Sequence, residues 1–447
     1  MATIIAQPLA RPELNLATER SHSPYPRVGT LQRFVLVGFC CAFGTDLFQV
    51  MFSGNAGSAA AAERSPAVYV AFLITYFTVF IFCLKSFRQI TIALMAYPLM
   101  ALLLCYPFLS ILWSQAPAIT LQRSVAVAGC SLFGLYLGSV FPLRDLIRLL
   151  ANAASLMAIV HVLVSLLLPS VGVMDASWEA TGVYAGAWRG LTPHKNMLGA
   201  YSSMHALVLL FAILTFKDRM RWLYIAGFFL SMLSLYEARS TTAILILFMC
   251  VFIILVMKIC QIFPNLAWTS ILICLVFLPL ICLSVFTDNF LADLFAMLDK
   301  NPQMSGRFPL WDLAISRVNE RFWLGYGHEV FWDPDDLYVR YIAEKLRYSP
   351  HYSHNGAIET LLNGGFLLLL LLFFSYLASI YKSVRLVIKN PDKTIVILPL
   401  CFLVLFLLAN LTESHVLARN NLIWALFVAM SFAALLELKN PMPCKRS

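Results

Sequence analysis

The chain has 447 residues, of which 60% are hydrophobic and only 12% charged, with a mean hydropathy of +0.79 and a formal net charge of +9. A soluble domain carries roughly a quarter of its residues as charged groups. Composition therefore excludes a soluble enzyme or binding module and points to a polytopic membrane protein.

Residues 1–33 are polar, with Arg11, Arg20, Arg27 and Arg33, and lack the short apolar core and small-residue cleavage site of a secretory leader. They read as a disordered tail. A span needs about 20 mostly apolar residues, and twelve windows qualify: 34–53, 67–84, 90–112, 124–142, 149–169, 197–216, 222–238, 241–263, 266–287, 356–380, 394–411 and 421–437. The first, with Gly44 and Asp46, has the weakest pattern. The expected fold is thus all-α, about twelve transmembrane helices with one long loop carrying short amphipathic helices. Its parts are a tail (1–33), nine spans (34–287), the long loop (288–355), three spans (356–437) and a second tail (438–447).

Orientation follows from where lysine and arginine fall. The side of the termini holds 19 of the 32, the opposite short loops hold 6, and the long loop, which the rule exempts, holds 7. Both termini are therefore expected in the cytoplasm and the long loop outside. The positive charge is mostly this topogenic bias, so it gives no argument for nucleic acid. Ten of the 11 cysteines lie in apolar windows and Cys444 in the tail, a pattern of small apolar residues rather than of disulfides or metal ligands.

The six outward basic residues need another reason, because topology does not ask for them. Between the fifth and sixth windows runs Trp188-Arg189-Gly190-Leu191-Thr192-Pro193-His194-Lys195-Asn196. Thr192 suits an N-cap and Pro193 a first helical position, which places His194, Lys195 and Asn196 in the first turn. Cations at a positive helix end imply an anion to share; the alternative is that Arg189 and Lys195 reach to lipid headgroups beside Trp188. Arg239 stands ahead of Ser240-Thr241-Thr242 at another helix start, where Glu237 offers it a simple neutralising partner. Asp46 and His161, both inside windows, would suit a buried polar pair.

In the long loop, Gly306-Arg307-Phe308-Pro309-Leu310-Trp311 leads into an amphipathic pattern with Leu310, Trp311, Ile315, Val318 and Phe322 on one side. This is the pattern of a helix lying in the membrane interface and ending near Gly325-Tyr326-Gly327. Arg307 reads equally as a phosphate ligand or an ordinary salt-bridge partner. Asp333-Pro334-Asp335-Asp336 reads as a turn, since the rest of a calcium loop is missing. Ser353-His354-Asn355 opens the tenth window with Ser353 as expected cap, and Glu359 stands just over a turn further on, placed to orient the His354 imidazole.

Three helix starts on one face, each with basic or imidazole groups, suit a diphosphate. Arginine forks grip phosphate oxygens bidentately, dipoles and arginines stabilise a departing diphosphate, and a neutral histidine accepts a hydroxyl proton.

At these residues the chain resembles the O-antigen ligase and polysaccharide polymerase superfamily, in particular its exopolysaccharide-polymerase branch. The resemblance rests on Trp113-Ser114-Gln115-Ala116-Pro117, Arg189 with His194-Lys195-Asn196, Ser240-Thr241-Thr242, Ser305-Gly306-Arg307 with Trp311, Gly325-Tyr326-Gly327, Ser353-His354-Asn355 with Gly364-Gly365, and Glu413-Ser414. It implies a multi-pass glycosyltransferase of the bacterial inner membrane, acting at its periplasmic face on undecaprenyl-diphosphate-linked oligosaccharide, with no metal, nucleotide or other cofactor. By analogy His354 is the candidate base or acceptor-positioning residue. Arg189, Arg239, Arg307 and Lys195 are candidate diphosphate ligands, with His194, Asn196, Asn355 and Glu359 in support. Membrane lipids, a flippase and chain-length or export proteins are the implied partners. A ligase moving the glycan to a lipid A core or another acceptor is the alternative on the same scaffold. A twelve-span carrier is a third reading, but it predicts related halves and broken, charged helices at the midplane, and the long loop breaks any symmetry between halves.

Overall fold

A computed structural model of the chain describes residues 25–26, 28–53, 65–175, 184–263 and 307–439. The ninth window (266–287), the first part of the long loop with Ser305 and Gly306, and most of both expected tails lie outside the described residues. The described residues are mostly helical, and their only β pairing is one isolated bridge, between Val173 and Trp188.

Sixteen α-helices follow in order: α1 (Thr30–Gly44), α2 (Leu47–Ser53), α3 (Pro66–Lys85), α4 (Phe87–Ala96), α5 (Pro98–Leu109), α6 (Pro117–Val140), α7 (Leu143–Leu167), α8 (Pro169–Gly172), α9 (Lys195–Thr215), α10 (Met220–Glu237), α11 (Thr241–Ile262), α12 (Arg307–Val318), α13 (Leu337–Leu346), α14 (Gly356–Lys389), α15 (Leu398–Thr412) and α16 (Leu422–Lys439). Among the described residues eight helices are long and apolar enough to cross a membrane, or nine if the bent pair α4 and α5 counts as one span. This is an all-α multi-pass membrane protein.

Two windows expected as single spans are broken. Residues 90–112 divide into α4 and α5, bent by 102°. Pro98 supplies no backbone N–H and pushes Tyr97 out of the helical region, to φ −139° and ψ 67°. The Tyr97 hydroxyl is then held by Ser379 Oγ at 2.7 Å and by the Ser375 carbonyl. Residues 34–53 divide at Thr45 and Asp46. Thr45 Oγ1 donates back to the Cys41 carbonyl at 2.7 Å and accepts from Leu47 N at 3.3 Å, closing one helix and opening the next.

The core is centred on α16, whose side chains from Leu422 to Glu437 are all buried. Gly134 and Gly138 on α6 let it approach α16 so closely that a Cβ on either would fall on the Ala425 or Ala429 carbonyl. Close approach at small residues is how helices gain packing energy where lipid removes the hydrophobic incentive. Trp424, Phe406 and Phe427 stack beside this seam.

α14 is interrupted one-third of the way along. Gly365 has φ +67° and ψ −166° in an otherwise helical run, and the freed groups are met by the segment after α12. Phe366 N donates to the Phe322 carbonyl at 2.7 Å and Tyr326 N to the Leu362 carbonyl at 2.7 Å, while the Tyr106 hydroxyl reaches the Gly364 carbonyl at 2.7 Å. Gly325-Tyr326-Gly327 thus seats against the broken helix rather than merely ending α12. Trp113 Nε1 donates to the Leu324 carbonyl at 2.8 Å and Gln115 N to the Tyr326 carbonyl at 3.2 Å, which ties in the loop before α6.

α12 forms where its amphipathic pattern placed it and ends in a 3-10 turn, Asn319–Arg321. Its buried side is Leu310, Trp311, Ala314 and Val318; Ile315 and Phe322, expected on that side, are exposed. Asp333 to Asp336 make a turn, with Asp336 capping α13 through Tyr338 N at 2.8 Å and Val339 N at 3.2 Å.

Candidate functional site

The loops between 113 and 117, 184 and 194, 307 and 355, and 413 and 421 meet at one end of the bundle. At their centre stands Glu413, the residue that closes α15, with its side chain only 8% exposed. Arg307 Nη2 donates to Glu413 Oε1 at 3.0 Å, and Asn196 Nδ2 donates to the same oxygen at 3.2 Å. His354 Nδ1 lies 3.0 Å from Glu413 Oε2, and Tyr352 packs its ring 4.3 Å from the imidazole while its hydroxyl bonds to the same carboxylate. A small cleft beside this cluster is lined by Asn196, Ser240, Thr242, Arg307 and Glu413.

Electrostatics follow from that geometry. Burial alone would raise the Glu413 carboxyl, but the bonded His354 imidazole, Arg307 and His415 outweigh it and hold the group well below the usual carboxylate range. Burial pushes His194 down to about 4, with Lys195, His354 and Arg307 acting in the same direction and Glu413 opposing them. A neutral His194 suits its local task, because its Nδ1 accepts from Asn196 N at 3.3 Å and caps α9. The Tyr352 hydroxyl is raised well above its ordinary value by burial and by Glu413.

Three local expectations are corrected. The cap of α9 is His194, not Thr192, and Pro193 lies before the helix; Thr192 Oγ1 instead sits 2.7 Å from the Arg189 carbonyl and 3.0 Å from that of His194. The cap of α14 is Asn355, not Ser353: Asn355 Oδ1 accepts from Ala357 N at 2.9 Å and Ile358 N at 3.1 Å. Glu359 does not orient His354. Its carboxylate is taken by Ser353 N at 2.8 Å and Trp332 Nε1 at 3.1 Å, so it fixes the strand of chain ahead of His354 from behind. His354 itself adopts φ +53°, a conformation that most residues avoid, and Asn355 N anchors it by donating to Ser414 Oγ at 3.2 Å.

The candidate diphosphate ligands separate into two groups. Arg307 joins the Glu413 cluster. Lys195 is nearly buried, lies 4.3 Å over the Tyr184 ring and donates to the Arg239 carbonyl at 3.3 Å, so it links the cluster's edge to the start of α11. Arg239 is exposed, with Nη1 3.5 Å from the Ala185 carbonyl. Arg189 is only 3% exposed, and the charges it faces are Asp46 and Asp175, not Glu413. Asp46 and His161, expected as a pair, instead both grip Leu191: Asp46 N donates to its carbonyl at 2.8 Å, and His161 Nδ1 accepts from its amide at 3.2 Å.

Sequence reasoning named His354 and Arg307 but assigned Glu413 no role beyond the resemblance. The signal was available: a lone carboxylate directly after an apolar run, in a chain poor in charge. Among the described residues no group of three or more His, Cys, Asp or Glu side chains is gathered as a metal ligand set.

No curated protein matches the chain at a significant level. The O-antigen ligase (Wzy_C) family model matches residues 226–373, about a third of the chain, from α10 through α11, α12 and α13 into α14. That match spans Arg239, Arg307, His354 and the broken helix at Gly365, and supports a likeness of this multi-pass membrane protein to the O-antigen ligase and polymerase superfamily.

Proposed function

We propose that the protein polymerises undecaprenyl-diphosphate-linked oligosaccharide repeat units into exopolysaccharide at the periplasmic face of the inner membrane. The observation that carries this is the Glu413 carboxylate held at 3.0 Å from both Arg307 and His354, at the bundle end where the loops meet.

In this reading Nδ1 of His354 donates to Glu413 Oε2, which leaves Nε2 as the acceptor for a proton. An acceptor sugar hydroxyl gives that proton to Nε2 as its oxygen bonds to the anomeric carbon of the donor glycan. The bond from that carbon to the diphosphate breaks, and the electron pair leaves with the lipid diphosphate. Arg307, with Arg239 at the next helix start, would meet the charge that builds there. Glu413 then has two tasks, fixing the imidazole and offsetting the cation it becomes, the role a buried carboxylate plays behind a catalytic histidine. Arg189 and Lys195 support the site from outside it: one faces Asp46 and Asp175, the other pins the Arg239 carbonyl. The donor carries its own leaving group, so neither nucleotide nor metal is needed.

The matched family model bears the ligase's name, so transfer to a lipid A core or another acceptor is the second reading. The two differ in the acceptor alone. The experiment is His354→Ala in the native host. Protein should remain in the membrane while high-molecular-weight polymer falls by about 10² to 10⁴, the usual worth of a general base. Normal polymer together with normal glycan on lipid A would dismiss the base, and loss of glycan from lipid A with polymer intact would favour the ligase.

A further inference from the structure

A second cavity, ≈ 260 Å³, lies between α1, α2, α3 and the first turn of α9. Resting on the function proposed above, we propose that this cavity is a subsite for one sugar ring of the acceptor glycan, held by its hydroxyls.

Its size is the first reason. Pockets for small ligands start at roughly 300 Å³, so this one admits a single ring and not a lipid-linked oligosaccharide. Its walls are the second. Phe48 and Phe72, in edge contact at 5.0 Å, and Tyr69 give one apolar wall, against which the C–H face of a pyranose packs. Asp46, Gln122 and Asn420 supply a carboxylate and two amides on the same lining, the donors and acceptors that neighbouring hydroxyls require. The third is an open acceptor: Asp46 Oδ2 is buried in the wall and accepts no hydrogen bond. A buried carboxylate oxygen without a donor is costly, and a sugar hydroxyl supplies one.

The same features argue against other occupants. A lipid tail gains nothing from a carboxylate and amides. A phosphate finds no cation here to hold it, since Arg419, the cation on this lining, already holds Glu329 Oε2 at 2.9 Å. The location fits an acceptor. One loop joins the two sites, with Glu413 at its start and Arg419 and Asn420 near its end, and the start of α9 divides them: His194 and Asn196 turn to the Glu413 cluster, Pro193 and Met197 to the cavity.

The test uses the purified full chain in detergent and, as probe, the repeat-unit oligosaccharide cut from the host's own polymer and freed of lipid. Saturation-transfer NMR titration should show binding to the wild type. Asp46→Asn keeps the shape and removes the charge, and Ala126→Trp fills the cavity; each should bind at least about tenfold more weakly, the cost of losing a hydrogen bond to a charged group. Gly38→Ala, which lies in neither site and has nothing within 4 Å of a new Cβ, should bind as the wild type does, and inorganic phosphate should not displace the sugar. Wild-type affinity in a monodisperse Asp46→Asn or Ala126→Trp protein, no binding to the wild type, or displacement by phosphate would each overturn the subsite. Failure of the polymerase reading shows elsewhere, as polymer made by His354→Ala in cells, and leaves this binding readout intact.

Discussion

Glu413 is the fixed negative charge of its cluster. Held well below the ordinary carboxylate range by His354 and Arg307, it stays ionised across the acidic range in which three buried imidazoles of the loops titrate. His194, His328 and His415 are each pushed by burial from 6.5 to about 4. Their folded values lie below the unfolded one, so between these limits the unfolded chain takes up protons that the folded chain refuses. Stability is therefore fully present above about 6.5 and is lost as pH falls toward about 4, by about 3 kcal/mol per imidazole from linkage. For His194 the loss has a visible site, because protonation removes the Nδ1 acceptor that caps α9 and sets a cation against Lys195. The unfolding midpoint of the detergent-solubilised protein should fall between about pH 7 and about pH 5. His194→Asn, which caps without titrating, should make that fall shallower. A midpoint flat with pH would contradict the burial of these imidazoles.

Two helix breaks organise the elements, and they differ in how visible they were beforehand. The break at Pro98 follows from a residue that cannot continue a helix, yet in the sequence it sat inside an unbroken apolar run and was read as one span. The break at Gly365 gave no such warning, since Gly364-Gly365 is followed by nine apolar residues, and a glycine pair within a span is ordinary. What fixes it is remote: a Cβ at Gly365 would fall on the backbone of Trp323 and Leu324, and its φ of +67° disfavours any other residue. Gly365→Ala should thus cost the strain of a backbone region that essentially only glycine enters, about 1 to 3 kcal/mol, and in addition displace the 322–326 segment. The expected result is a lower melting temperature with loss of polymer, whereas Gly38→Ala on α1, with nothing within 4 Å of a new Cβ, should change neither. An unaltered Gly365→Ala protein would mean that the segment does not depend on the break. The same contrast explains what was legible. Apolar runs gave the helices because lipid permits no other backbone, and caps and turns gave the loops to within a residue or two. Partners such as Glu413 for His354, or Trp332 for Glu359, join residues far apart in sequence, which periodicity does not reveal.

At the scale of the whole molecule the two ends of the bundle are chemically different. One carries the Glu413 cluster and the aromatic loops. The other carries the ion pairs Arg33 to Asp145 at 2.9 Å and Arg148 to Asp218 at 2.6 Å, with Arg144 and Arg148 over the Phe216 ring and Gln261 Nε2 bonded to the Asn390 and Lys393 carbonyls. Among the described residues the loops around Glu413 gather at one end and these cation-rich loops at the other. If the positive-inside bias sets the insertion, the cluster end faces the periplasm, where no nucleotide-activated sugar is at hand and a donor must bring its own leaving group. Single cysteines test this directly. Asp335 and Asp392 are exposed at opposite ends, and of the eight described native cysteines only Cys105 is exposed. A membrane-impermeant maleimide should label Asp335→Cys in intact spheroplasts and Asp392→Cys only after lysis. The reverse pattern would put the Glu413 cluster in the cytoplasm, beside nucleotide sugars, and would remove the reason to expect a lipid diphosphate as the donor.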